Sequence, residues 1–151
     1  MITRILVAID GSQHAWKALD LASDLARLHD AELVVVHIVP YEPLPEALRD
    51  FAKVEGIPME EETARYHQSL SLGDALTREA QSVARKKGVG KVVGHTLEGK
   101  PAATILDAAT RERVDMIVMG SRGLSDPKAL LLGSVSHKVA NLAECTCVTV
   151  K

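Results

Sequence analysis

Five short runs of aliphatic and β-branched residues alternate with stretches whose apolar residues recur at helical spacing. We read the runs as strands over residues 4–9, 32–39, 91–97, 116–119 and 146–150. The β-α-β-α-β-α-β-α-β order predicts a parallel sheet with helices on both faces and right-handed crossovers. Near-continuous apolar strands suit that architecture, because both faces of such a sheet are covered.

The intervening segments carry their own signals. Ser12 stands where a hydroxyl can cap a helix over 13–28. Its apolar stripe is Ala15, Ala18, Leu19, Ala22, Leu25 and Ala26. Pro40, Pro43, Pro45 and Pro58 punctuate an irregular connection, which holds one helical turn around 46–52. A long helix over 60–87 ends at Gly88-Val89-Gly90. Pro101 opens another, at a position where proline is tolerated. A last helix covers 135–142. The length of 151 residues suits one domain, and neither a repeat nor a second domain shows. Aromatics are only 3% against 46% apolar residues, so Val, Ile, Leu and Ala must build the core.

Charge and composition exclude several classes. The formal net charge is −2 without a basic cluster, which argues against a nucleic-acid partner. No apolar run approaches the ~18 residues of a membrane span. The opening strand-like run carries no signal-peptide pattern, so a cytoplasmic location is expected. Cys145 and Cys147 fall on one face of a strand, a poor geometry for a disulfide. They read as small apolar filler.

The densest local signal is Gly120-Ser121-Arg122-Gly123, nine residues, then Gly133-Ser134. It lies between a strand end and a helix start beginning at Val135 and Ser136. Glycines let backbone amides approach an anion, and amides at a helix start point at it. The same residues also serve as turn punctuation, so spacing alone leaves phosphate binding and a structural turn both open.

Together these segments resemble the universal stress protein family over nearly the whole chain. The matching residues are 4–12, the strand 32–39, Glu98-Gly99-Lys100-Pro101, and the glycine pattern from Met119 through Ser136. The resemblance implies an open five-stranded sheet in the order 3-2-1-4-5 and one nucleotide-binding domain over residues 1–151. It also implies a site for ATP, ADP or AMP with Mg²⁺. Asp10 would contact the nucleoside, Ala8 would approach the base, and Ile38 would offer backbone groups to the adenine edge. Met119 and Gly120 would flank the ribose. Gly123, Gly133, Ser134 and Val135 would hold phosphates, with Ser121 and Ser136 in the same motif. Arg122 either pairs with a phosphate or is solvated. Dimerisation through the strand 146–150 is implied too, with a further protein partner of unknown identity.

Two departures from the family pattern stand out: Asp126-Pro127 where glycines are common, and Thr146 where proline is common. An acidic residue near phosphates repels them unless Mg²⁺ bridges. Other motifs fail. There is no P-loop and no nucleophile elbow. Gly88, Gly90 and Gly94 miss the dinucleotide spacing by one residue and precede a strand instead of following one. The six histidines are scattered without metal spacing. His37 and His95 read as hydrogen-bonded core residues, His14 and His137 as surface residues in first helical turns. Glu60-Glu61-Glu62 complements a helix N-terminus. The expectation is a nucleotide-dependent stress-response switch with no catalytic residue and no resident metal. The alternatives are a slow ATPase or autophosphorylating enzyme, with Asp126 and His137 the nearest groups, and an interaction module with no nucleotide.

Overall fold

The computed structural model describes residues 1–41, 44–123 and 132–151. The expectations for Pro43 and for Asp126-Pro127 lie outside these. The elements run β1 (Arg4–Ala8), α1 (Gln13–His29), β2 (Glu32–Val39), α2 (Glu46–Val54), α3 (Glu60–Lys86), β3 (Lys91–Glu98), α4 (Pro101–Glu112), β4 (Met116–Gly120), α5 (Ser134–Leu142) and β5 (Thr146–Val150). The strands form one sheet in the order β3-β2-β1-β4-β5. Every pair is parallel. Ile5 partners Leu33 on one side and Met116 on the other.

Side-chain alternation divides the core into two layers. Ile5, Val7, Leu33 and Val35 pack with Ala18, Leu19 and Ala22 of α1 and Ala80 and Ala84 of α3. Leu6, Val34 and Val36 pack with Ile105, Ala108 and Val139 of α4 and α5 on the opposite face. Each fully buried Val, Leu or Ile contributes about 1.5–3 kcal/mol. The chain moves outward from β1 to β3 on one face, then crosses to β4 and continues on the other. The winding therefore reverses between β1 and β4, and the carboxyl ends of these strands flank a crevice.

The local signals account for most boundaries. Ser12 Oγ accepts the Ala15 amide at 3.2 Å. Asp30 closes α1 in the left-handed region at φ 52°. Pro101 stands in the first turn of α4. Where the chain was expected to make a single turn, α2 runs nine residues. Proline-free Glu, Ala, Leu and Arg carry it on between the flanking prolines. Only Ala52 of this helix is buried, and Leu48, Phe51 and Val54 face solvent. β1 stops at Ala8, and the Ile9 amide then donates to Val36 O at 2.9 Å.

The histidine readings divide. His37 shares a 2.8 Å hydrogen bond with Ile9 O, as a strand histidine should. His95 is corrected: β3 is an edge strand, so its ring stays partly exposed and pairs with Glu112 at 3.4 Å. Cys145 and Cys147 are free and pack against the α4–α5 layer. Burial pushes both thiols above their ordinary range. Among the described residues no helix is long and apolar enough to cross a membrane.

Candidate functional site

The carboxyl end of β1 leads through Ala8 and Ile9 to Asp10, whose Oδ1 accepts the Ser12 amide at 2.9 Å. That bond fixes the carboxylate beside the start of α1. Ile38 and Pro40 arrive from the end of β2, Met119 and Gly120 from β4, and Pro101 and Ile105 from the start of α4. Together they line a cavity of about 280 Å³ with Arg122, Gly123, Gly133, Ser134, Val135 and Ser136. Every position that the family resemblance implicated borders this cavity except Ser121.

The cavity has two chemical ends. Ala8, Ile38, Ile105 and Met119 make the strand end apolar. The opposite end is the first turn of α5. Gly133 caps that helix in extended geometry and supplies no side-chain acceptor to the first turn. The first helical bond shown there runs from the His137 amide to Gly133 O at 2.9 Å. The amides of Ser134, Val135 and Ser136 precede it and have no intrahelical acceptor. They carry the positive end of the helix dipole, where anions are stabilised. An apolar slot leading to an anion-holding turn suits a flat heterocycle that carries phosphate. Helix α5 starts at Ser134, one residue before the expected Val135.

Ser121 differs from its neighbours. It is 3% exposed, and its side chain turns to α1, where Oγ shares a 3.1 Å hydrogen bond with His14 Nδ1. Its amide donates to Val150 O at 2.7 Å. Its carbonyl accepts the Gly133 amide at 2.7 Å and the Ser136 hydroxyl at 2.9 Å. The Ser136 hydroxyl also reaches Gly133 O at 3.0 Å. Ser136 thus offers the cavity its amide while its hydroxyl is spent inside the turn. His14, read from sequence as a surface residue, is corrected to a half-buried one that bridges α1 and the β4 loop. Its place in a first helical turn was the available signal, but its partner was not. His137 is exposed, shares a 3.0 Å hydrogen bond with Asn141, and does not line the cavity. Asp126 lies outside the described residues.

A larger depression of about 800 Å³ lies between α2 and the first turns of α3. Its charged lining largely cancels, with Glu46, Asp50 and Glu62 against Arg49 and Lys53. It shares no lining residue with the smaller cavity, which alone of the two takes in the ends of β1 and β4 at the winding reversal and is the better-built site. Among the described residues no cluster of three or more His, Cys, Asp or Glu could hold a metal ion.

Comparison with known proteins agrees with this picture. The model of the universal stress protein family matches residues 1–151. A Thermus aquaticus relative, named as the universal stress protein in the QAH/OAS sulfhydrylase 3' region, is 39% identical over all of both chains. The solved structure of universal stress protein UspA from Lactobacillus plantarum superposes with TM-score 0.84 at 23% identity, covering 99% of this chain and 98% of that one. A universal stress protein from Archaeoglobus fulgidus, solved in complex with dAMP, is 26% identical with TM-score 0.64 over the full length of both chains.

Proposed function

The chain belongs to the universal stress protein family, and from that premise we propose that it binds an adenine nucleotide in the cavity between the ends of β1 and β4. The carrying observation is that one cavity joins an apolar slot at Ala8, Ile38 and Met119 to the free amides at the start of α5. The Archaeoglobus relative with dAMP supports an adenine base and at least one phosphate. The base would bury against Ile38 and Met119. Asp10, beside the α1 start, would take a sugar hydroxyl. Each phosphate charge near the first turn of α5 would gain about 0.3–1 kcal/mol from the dipole, besides its hydrogen bonds. With ATP, Arg122 and Mg²⁺ would balance the further phosphates.

Binding of this kind acts as a switch when the liganded and free states differ in contacts. Here the nucleotide would tie the segment from Gly120 to Gly133 to the ends of β1 and β2. A second copy paired along β5, or another protein, would respond to that change inside the cytoplasm. Hydrolysis is the weaker reading, because His137 does not line the cavity and pairs with Asn141.

The first test is to denature the purified protein, identify released nucleotide by mass spectrometry, and titrate the emptied protein with AMP, ADP and ATP with and without Mg²⁺. Co-purified or micromolar nucleotide is the expected result. No bound nucleotide and no heat of binding would overturn the reading and leave an interaction module. Hydrogen exchange in the Gly120–Gly133 segment should slow on binding, and equal protection with and without nucleotide would exclude the switch.

A further inference from the structure

We infer that Ser121 and His14 form a positioning pair that aims the anion-holding turn without touching the ligand; this rests on the nucleotide reading above. Ser121 is a buried polar residue that does not line the cavity, although Gly120 and Arg122 on either side of it do. Its hydrogen bonds reach three separate elements: His14 in the first turn of α1, Val150 at the end of β5, and Gly133 with Ser136 at the start of α5. A buried, fully used polar node specifies geometry, because each lost bond leaves a costly unpaired group.

The pair acts on the one part of the site where geometry matters most. Ser121 is where the chain leaves β4, and Gly133 is where it returns, so the 2.7 Å bond between them clips both ends of the connecting segment together. The Ser136 hydroxyl then sets the pitch of the first turn by bonding Ser121 O and Gly133 O. His14 fixes the outer side of this clip to α1, the helix that begins beside Asp10. The nucleoside end and the phosphate end of the cavity are thereby held in register by Ser121 and His14, neither of which lines it. Losing the His14 bond leaves the main-chain clip between Ser121, Gly133 and Ser136 intact but removes its tie to α1, so the turn shifts as a unit relative to Asp10. The strand end keeps its own walls.

The experiment compares AMP with adenosine, which lacks the anion, by calorimetric titration of native protein, Ser121→Ala, His14→Ala and the double variant. Each single change should weaken AMP about tenfold, the scale of one lost hydrogen bond to a buried group, while adenosine binding stays within about twofold. The double variant should lose little more than either single one, because both remove the same bond. His14 is only half-buried, so His14→Ala carries the test if Ser121→Ala folds poorly. Equal losses for AMP and adenosine, unchanged AMP binding in His14→Ala, or fully additive losses would each overturn the pair. Native protein that binds neither compound would overturn the nucleotide reading itself and this inference with it. Adenosine binding without a gain from phosphate would overturn the anion-holding turn, and this inference with it, while leaving the nucleoside slot.

Discussion

Gly123 lies so close to Asp10 that a Cβ built on it would sit 2.7 Å from the carboxylate Oδ2. The loop after β4 and the end of β1 thus meet with no room for a methyl group. Gly123→Ala should displace the Asp10 carboxylate, which the Ser12 amide holds at 2.9 Å. The displaced group is the end of one side chain, so stability should change by less than about 1 kcal/mol. Nucleotide affinity should fall about tenfold, and calorimetry on the folded variant checks it. Undiminished affinity would mean that Asp10 does not contact the nucleoside.

Gly120 and Gly133 should separate packing from binding. A Cβ on Gly120 would meet His14 Cβ at 2.8 Å, His14 C at 2.9 Å and the Ala15 amide at 3.0 Å. Two of these are backbone atoms of α1, which cannot swing aside. Gly120→Ala should cost about 1–3 kcal/mol, visible as a lower urea midpoint. A Cβ on Gly133 finds its nearest neighbours at 3.5 Å. Gly133→Ala should therefore cost no more than about 1 kcal/mol, the loss of a good cap residue. Equal destabilisation by the two changes would contradict this packing.

Asp115 predicts an acid limb of stability. Its Oδ2 accepts the Thr3 amide at 2.7 Å, the Thr3 hydroxyl at 2.9 Å and the Arg4 amide at 3.0 Å. These bonds, the Thr3 amide first, hold the carboxyl below its ordinary range. A folded-state value below the unfolded one gives stability that is present above about pH 4 and lost as pH falls through the folded value. Asp115→Asn should lower the urea midpoint at neutral pH, and the gap to native protein should close in acid. A gap that stays constant from pH 7 to about pH 2 would remove the carboxylate from the account.

The two thiols should be inert in the folded chain. Burial raises both, and Cys145 adds a further upward push on Cys147. The thiolate is the reactive form, so modification by a disulfide reagent at neutral pH should be slow in buffer and fast in urea. Equal rates in the two media would show that the thiols are open to solvent.

Most of the fold was legible because its signals are local. Ser12 before α1, Pro101 at the head of α4 and the β-branched strands each act within a few residues of themselves. Much of the cavity wall was legible too, but through the family resemblance, since the glycine spacing alone left a structural turn equally open. What stayed hidden depends on partners distant in sequence. Ser121 looked like its neighbours in the motif, yet its hydroxyl answers to His14, 107 residues away. His95 looked like a core residue until β3 proved to be an edge. The segment around 46–52 read as one turn in an irregular connection, and neither the nine-residue length of α2 nor the exposure of Leu48, Phe51 and Val54 was legible. Direction is a tertiary property.

The pairing of β1 with β4 has a consequence for how the molecule is made. During synthesis Ile5 can pair with Leu33 early, but its other neighbour in the sheet, Met116, is translated much later. Until then the central strand of the finished sheet is an open edge, the kind of surface that recruits wrong partners. The cavity needs both Asp10 and the start of α5, so a growing chain that has not yet reached Ser134 cannot hold a ligand there. A filled cavity therefore reports that β4 has closed against β1.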